Sequence, residues 1–202
     1  NNYTIKAVLE RHGLKADMQH IPDEPQLTRL AIMRCLQAYD VILLSGGISM
    51  GKFDYIPQAL EELSVAKIFH KVQQRPGKPF WFGAHAGGTL VFAFPGNPVA
   101  TFMCLHRYFL PWLHAVFGIA AKPVYASLSH DVTFEPSIQY FLQVQLSFNR
   151  EGRLLAKPWA GNGSGDFANL ADTDAFLELP ADRNLFKGGE VYRAWPFKQF
   201  CC

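Results

Sequence analysis

A chain that runs without charge from Gly87 to Leu105 can bury that stretch in a membrane or inside a globule, and its middle decides between them. The stretch reads GGTLVFAFPGNPVATFMCL, with Pro95 and Pro98 enclosing Gly96 and Asn97. Each proline fixes its φ and removes a main-chain donor, so neither strand nor helix continues through the corner. The two halves are too short for a spanning helix of about 20 residues. The corner joins an apolar strand, TLVFAF, to an apolar helix, VATFMCLHRYFLPWL. A strand feeding straight into a helix is the repeating unit of layered α/β domains. The corner is also stiffer than a connector needs to be. It can hold a backbone wall beside a ligand at the carboxyl end of the sheet, where open α/β folds bind. Asn97 can hydrogen-bond its own loop, and the amides after Pro98 face out of the helix start.

The segments upstream alternate in the same way. YTIKAVLERHG carries Ile5, Val8 and Leu9 at helical spacing and stops at Gly13. LKADMQHI reads as a short strand. PDEPQLTRLAIMRCLQAYD reads as a helix opened by Pro25, with Leu27, Leu30, Ala31 and Cys35 on one face. DVILLSGG is a continuous apolar run ending in glycines, the pattern of a strand buried on both sides in a parallel sheet. YIPQALEEL is a further helix, KIFHKVQQ a strand, and PFWFGAHAGGTLVFAF two strands about a Gly-rich turn. Sheets of this class usually open with a strand, whereas this chain opens in a helix. The sequence is therefore expected to begin inside its first domain.

From PVYASLSHDVTF onward the texture changes to short β-branched and aromatic runs, separated by turn signals such as NREGR, GNGSG and FKGGE. These describe a small all-β barrel or sandwich. The expected division is an α/β domain over 1–118, lacking its first strand, and a C-terminal β domain over 119–202.

A formal net charge of +2 over 202 residues, with no run of like charges, argues against a nucleic-acid or membrane-surface partner. Cys35, Cys104, Cys201 and Cys202 form no CxxC pair, so neither a zinc site nor a disulfide framework is indicated. No signal peptide opens the chain, and a soluble, cytoplasmic protein is expected.

Three stretches carry candidate chemistry. In LLSGGISMGKFDY (43–55), Gly46, Gly47 and Gly51 let backbone amides turn toward an anion ahead of a helix. The loop matches neither a Walker motif nor GxGxxG. Asp54 stands where it can bring a carboxylate to a magnesium ion or cap the helix. In HKVQQRPGKPFWFG (70–83), Lys71, Arg75 and Lys78 gather around a Pro-Gly turn, and Lys71, Gln73 and Arg75 share one strand face by their spacing. The group suits an oxyanion or phosphorylated ligand, or a solvated edge. In IPDEP (21–25), Asp23 and Glu24 read on their own as helix caps. His70, His85 and His106 lack ligand spacing and read as structural.

Taken in order, SGG-x-S-x-G-x-x-D, K-x-x-x-(K/R)-PGKP and PGNPV resemble the MoeA-type molybdopterin molybdenumtransferases, a family that includes the gephyrin E domain. The resemblance spans the whole chain and is stronger over 1–118 than in the β domain. It implies a MogA-like three-layer α/β/α domain followed by a small barrel-like β domain. It also implies magnesium-dependent insertion of molybdate into adenylylated molybdopterin with release of AMP, by a homodimer whose active site lies between subunits. By the resemblance, Asp23 and Asp54 hold the metal and act in catalysis with Lys71 and Arg75. Gly46, Gly47, Ser49, Gly51, Lys78, Pro95, Asn97, Pro98 and Ser164 line the substrate site.

There are departures. Arg75 stands where a lysine is common, exchanging a point cation for a planar fork. Ile138 and Gln143 stand where the family's GR-x-x-F-x-R segment carries arginines. The TGDE loop and two N-terminal domains of the family do not fall within these residues, in keeping with the expectation that the sequence begins inside its first domain. Two other readings share these motifs: a MogA-like molybdopterin adenylyltransferase and a non-catalytic molybdopterin-binding scaffold. Against the first, the loop is GGISMGKFD rather than TGGTG…RD, and a β domain follows.

Overall fold

The computed structural model describes residues 1–48, 55–159 and 167–198. The chain divides into two compact units, residues 1–72 with 77–104, and residues 73–76 with 105–202.

The first unit opens with helices α1 (Asn2–Arg11) and α2 (Pro25–Ala38), followed by strand β1 (Val41–Ser45), helix α3 (Ile56–Glu62) and strand β2 (Val65–His70). Strand β3 (Gln74–Arg75) belongs to the second unit. The first unit resumes with β4 (Trp81–His85), β5 (Leu90–Phe94) and α4 (Pro98–Cys104). Its four strands lie in the order β1-β5-β4-β2. β1 is parallel to β5, while the β4–β5 and β2–β4 pairs are antiparallel. Hence β1, β5 and β2 point the same way and end at one carboxyl edge.

Alternation along the strands separates the two sides of the sheet. Val91 and Ala93 join Ile32, Ile42, Ile48, Leu60 and Trp81 in one core cluster beneath α2 and α3. On the other side Phe94 stacks on Phe80 and Phe92 meets Phe82. Helices α1 and α4 bury separate stripes, Ile5, Val8 and Leu9 in one and Val99, Ala100 and Met103 in the other. This is the expected α/β layering.

Three sequence expectations are corrected in this unit. LKADMQHI forms no strand: Leu14, Ala16 and Ile21 are half-buried and none of its residues is fully buried, too little apolar surface to hold an extended segment on a sheet. Helix α2 buries Thr28, Ala31 and Ile32, whereas Leu27 and Leu30 are 41% and 37% exposed. The stripe is rotated because the bulky Ile32 enters the core cluster, and Thr28, one turn earlier on the same face, is buried with it. β1 is not buried on both sides. Among the described residues it stands at the sheet edge, and only Ile42 is fully buried.

After β3 the second unit continues with a π turn (Leu105–Phe109) and helix α5 (Leu110–Val116). The apolar run read as one helix is thus α4, a π turn and α5. Pro111 has no N–H to return to the carbonyl of Arg107, so the regular i→i−4 ladder fails there and the wider turn precedes it. There follow β6 (Val124–Leu128), β7 (Val132–Thr133), β8 (Gln139–Phe148), β9 (Leu154–Pro158), α6 (Asn169–Asp172), β10 (Ala175–Leu179), β11 (Leu185–Phe186) and β12 (Val191–Pro196). The order β10-β12-β6-β9-β8 closes through a β10–β8 pairing into a five-stranded barrel, and β3 adds in parallel outside β8. So tight a barrel leaves little interior volume. Leu128, Leu142, Val144, Leu177 and Leu179 fill it beside the small Ala126, Ala156, Ala175 and Ala194. The π turn is tied to the barrel by Arg107, which lies 4.6 Å from the Trp195 ring centroid and 3.3 Å from Glu178. Glu178 also accepts from Trp195 Nε1 at 2.6 Å and Gln139 Nε2 at 3.2 Å.

Candidate functional site

The ladder registers place Leu44, Ala93, Trp81 and His70 in one row across the first sheet. The residues just beyond leave the sheet together: Gly46 after β1, Pro95 after β5 and Lys71 after β2. Gly46 N–H donates to Phe94 O at 3.1 Å, binding the glycine loop to the end of β5. A Cβ built on Gly96 would come 3.6 Å from Gly46 Cα, so the SGG loop and the proline corner run in van der Waals contact. Asn1 secures both, donating from Nδ2 to Ser45 Oγ at 2.7 Å and to Gly96 O at 2.9 Å.

Helix starts collect at the same edge. Asn1 brings the start of α1 there through those two bonds. Only Tyr39 and Asp40 separate α2 from β1, so α2 runs back along the sheet and its first turn, just behind Asp23, lies toward the carboxyl edge. Ile56 N–H at the head of α3 reaches Gly47 O at 3.4 Å, and α4 starts four residues after Phe94. Helix N-termini carry partial positive charge from unpaired amides and the macrodipole, so this edge favours anions even before a cationic side chain is counted.

Lys71 adds such a side chain in an unusual backbone state. Its φ is +68°, in the left-handed region that non-glycine residues enter at a cost. Its N–H still donates to Phe80 O at 3.0 Å, and Val72 N–H donates to Lys78 O at 2.9 Å. Lys71 and Lys78, both exposed, therefore flank the neck of one hairpin. The expectation that Lys71, Gln73 and Arg75 share a strand face is corrected. The left-handed turn at Lys71 ends β2, and Gln74–Arg75 pair instead with Gln139–Tyr140 of the barrel. Arg75 thus belongs to the second unit, with its guanidinium carbon 5.9 Å from the Phe134 ring centroid. Burial raises the Tyr140 phenol pKa, and the Arg75 charge opposes that shift.

Of the residues named from sequence, Gly46, Gly47, Lys71, Lys78, Pro95, Asn97 and Pro98 come to this edge or to the hairpin beside it. Asp23 lies exposed before α2. Ser49, Gly51, Asp54 and Ser164 lie outside the described residues. Gln143, read as replacing an arginine, sits in β8, where its carbonyl accepts from Trp159 N–H at 3.0 Å. Sequence reasoning missed Asn1, whose role depends on contacts 44 and 95 residues away that leave no local pattern.

Asn97 caps α4: its Oδ1 accepts from Ala100 N–H at 2.9 Å and its carbonyl accepts from Thr101 N–H at 2.9 Å. Thr101 Oγ1 in turn donates to Pro95 O at 2.6 Å, closing the corner on itself. Replacing Asn97 with alanine should cost about 1 kcal/mol in a denaturation titration, while aspartate or serine should retain most of the stability. An alanine variant as stable as wild type would show that the prolines alone hold the corner.

Among the described residues a resident magnesium ion finds no complete donor set, and Asp54 lies outside them. Among the described residues no group of three or more His, Cys, Asp or Glu side chains is arranged to hold a metal. Among those residues, too, no helix is long and apolar enough to cross a membrane.

An anion-favouring carboxyl edge on an α/β sheet, carried with a closed β barrel, defines a ligand-binding α/β protein with a C-terminal β domain. Residues 1–115 match the family model described as a probable molybdopterin binding domain, and residues 125–197 match the MoeA C-terminal region, domain IV. The chain belongs to the molybdopterin-binding-domain family, in its MoeA-type arrangement. A molybdopterin molybdenumtransferase of Synechocystis is 38% identical over 194 residues, covering 95% of this chain and 47% of that protein. One of Bacillus subtilis is 31% identical over 177 residues, covering 85% and 40%. A solved molybdenum cofactor biosynthesis protein from Pyrococcus furiosus superposes with a TM-score of 0.73 at 26% identity, covering 96% of this chain and 63% of that one. The chain spans about half the length of the curated relatives it matches.

Proposed function

We propose that this chain supplies the molybdopterin-binding and barrel portion of a molybdenumtransferase, which inserts molybdate into adenylylated molybdopterin and releases AMP. The observation that carries the reading is the carboxyl edge itself. Two glycine-bearing loops meet there, helix starts converge, and Lys71 leaves β2 in a left-handed turn. Both the phosphates of the pterin nucleotide and molybdate are anions, and a rigid amide-rich edge stabilises such charge without rearranging. The names of the relatives agree with this reading.

Lys71 and Lys78 balance phosphate or oxyanion charge at the hairpin neck, and the Pro95–Pro98 corner forms the wall. A catalytic part for Arg75 rests on the resemblance alone. The magnesium dependence implied by the resemblance rests on Asp23 and Asp54. Among the described residues the donors do not complete a site. A homodimer acting in the cytoplasm belongs to the same reading.

The test is molybdate-dependent AMP release from adenylylated molybdopterin by the full-length gene product, for wild type and Asp54→Ala. Turnover in wild type and its loss in the variant are expected. Near-normal turnover in the variant removes Asp54 from the mechanism. Pterin binding without AMP release identifies a scaffold, and consumption of ATP with molybdopterin identifies an adenylyltransferase.

A further inference from the structure

We infer that His70 is a positioning residue of the carboxyl edge, latching the glycine loop after β1 to the end of β2. The latch rests on geometry. What it positions rests on the function proposed above.

β1 and β2 are the two outer strands of the four-stranded sheet, with β5 and β4 between them. Three strand spacings amount to roughly 14 Å. Yet Ile48, only three residues past the end of β1, has its carbonyl 3.2 Å from His70 Nε2 on the last residue of β2. The loop therefore crosses the ends of the two central strands. It is held at its start by the Gly46–Phe94 bond and at its far side by His70. The Ile48 side chain is itself buried in the core cluster beneath α2 and α3, so the imidazole controls the direction of the carbonyl rather than whether the loop is folded down.

A carbonyl oxygen can only accept, so His70 must donate from Nε2–H, leaving Nδ1 as the acceptor in the neutral ring. The imidazolium keeps the same donor. His70 is also covalently next to Lys71, where the backbone enters the left-handed region. One side chain thus ties together the glycine loop and the cationic turn, the two parts of the edge that must keep their spacing for an anion to touch both.

The experiment uses full-length protein in three forms: wild type, His70→Phe, which keeps the ring and removes the donor, and His70→Gln, which restores a donor. Amide hydrogen exchange at Gly46, whose N–H donates to Phe94 O at the start of the loop, measured without ligand, should rise about tenfold in the phenylalanine variant, the size of one lost net hydrogen bond. It should return toward wild type in the glutamine variant. With adenylylated molybdopterin as substrate, KM should rise in the phenylalanine variant with little change in kcat or melting temperature, and glutamine should rescue it.

Unchanged exchange in a folded phenylalanine variant, or no rescue by glutamine, overturns the latch. A fall in kcat with unchanged KM overturns the positioning role. Should wild type show no turnover, the proposed function fails while the exchange data still decide the latch. Should the phenylalanine variant not fold, the imidazole nitrogen spectrum of wild type decides: protonated Nε2 in the neutral ring supports the latch, and protonated Nδ1 overturns it.

Discussion

Gly83→Ala is expected to destabilise the first unit by about 3 kcal/mol or more, at the upper end of what overpacking costs. Gly83 is the middle residue of β4, paired with β5 on one side and β2 on the other. A Cβ there would lie 2.4 Å and 2.9 Å from two ring carbons of Trp81 and 2.5 Å from the carbonyl oxygen of Ala66. Trp81 is 2% exposed and wedged in the cluster with Ile32, Ile42 and Leu60, so its ring cannot swing clear. The Ala66 oxygen belongs to the β2 backbone and can retreat only by loosening the ladder. Urea titration should show the lowered midpoint. Adding Trp81→Phe should recover only part of it, because the main-chain clash survives removal of the indole. A Gly83→Ala midpoint equal to wild type would show that β2 and β4 are not held at this spacing. The consequence reaches the site, since β2 carries His70 and Lys71 to the edge only while it stays in register with β4.

That dependence on register also explains how much could be read from sequence. Apolar runs such as VILLS and LVFAF become strands, and Ile5, Val8 and Leu9 line one helix face, because local pattern and tertiary burial agree there. The texture beyond residue 124 likewise becomes a closed barrel, since alternation specifies which side chains face inward. Where the two disagree the sequence misleads. LKADMQHI has a strand-like composition but little apolar face. The α2 stripe is set by which side chain the core cluster accommodates, which favours Ile32 and Thr28 over Leu27 and Leu30. Lys71–Arg75 looks like one strand because nothing in KVQQR marks a left-handed residue or a tip shared with the barrel. In the site, the glycines and prolines could be read because their backbone needs are local. Asn1 and His70 could not, since both act on carbonyls far along the chain.

Lys71 allows backbone strain and charge to be separated, with the largest expected effect on function. At φ +68° glycine is at ease whereas alanine bears the same penalty as lysine. Lys71→Gly should therefore be more stable than Lys71→Ala by about 1 kcal/mol, less whatever flexibility the glycine adds to the unfolded chain. Both variants lose the ammonium group. If that charge meets the pterin phosphate or molybdate, both should lose turnover by about 100-fold, the scale of removing one preorganised donor from developing charge. Lys71→Arg should retain much of the activity, because a cation remains even though its shape changes. Stability and activity should thus rank the variants differently, with glycine above alanine on the first scale and level with it on the second. Full activity in Lys71→Gly would show that the left-handed turn exists to route Gln74 and Arg75 to the barrel, with the lysine charge incidental to it. Loss in alanine with retention in glycine would assign the function to the backbone turn alone. Only equal loss in both, with arginine spared, identifies the charge at the strand end as what the edge uses to hold its anion.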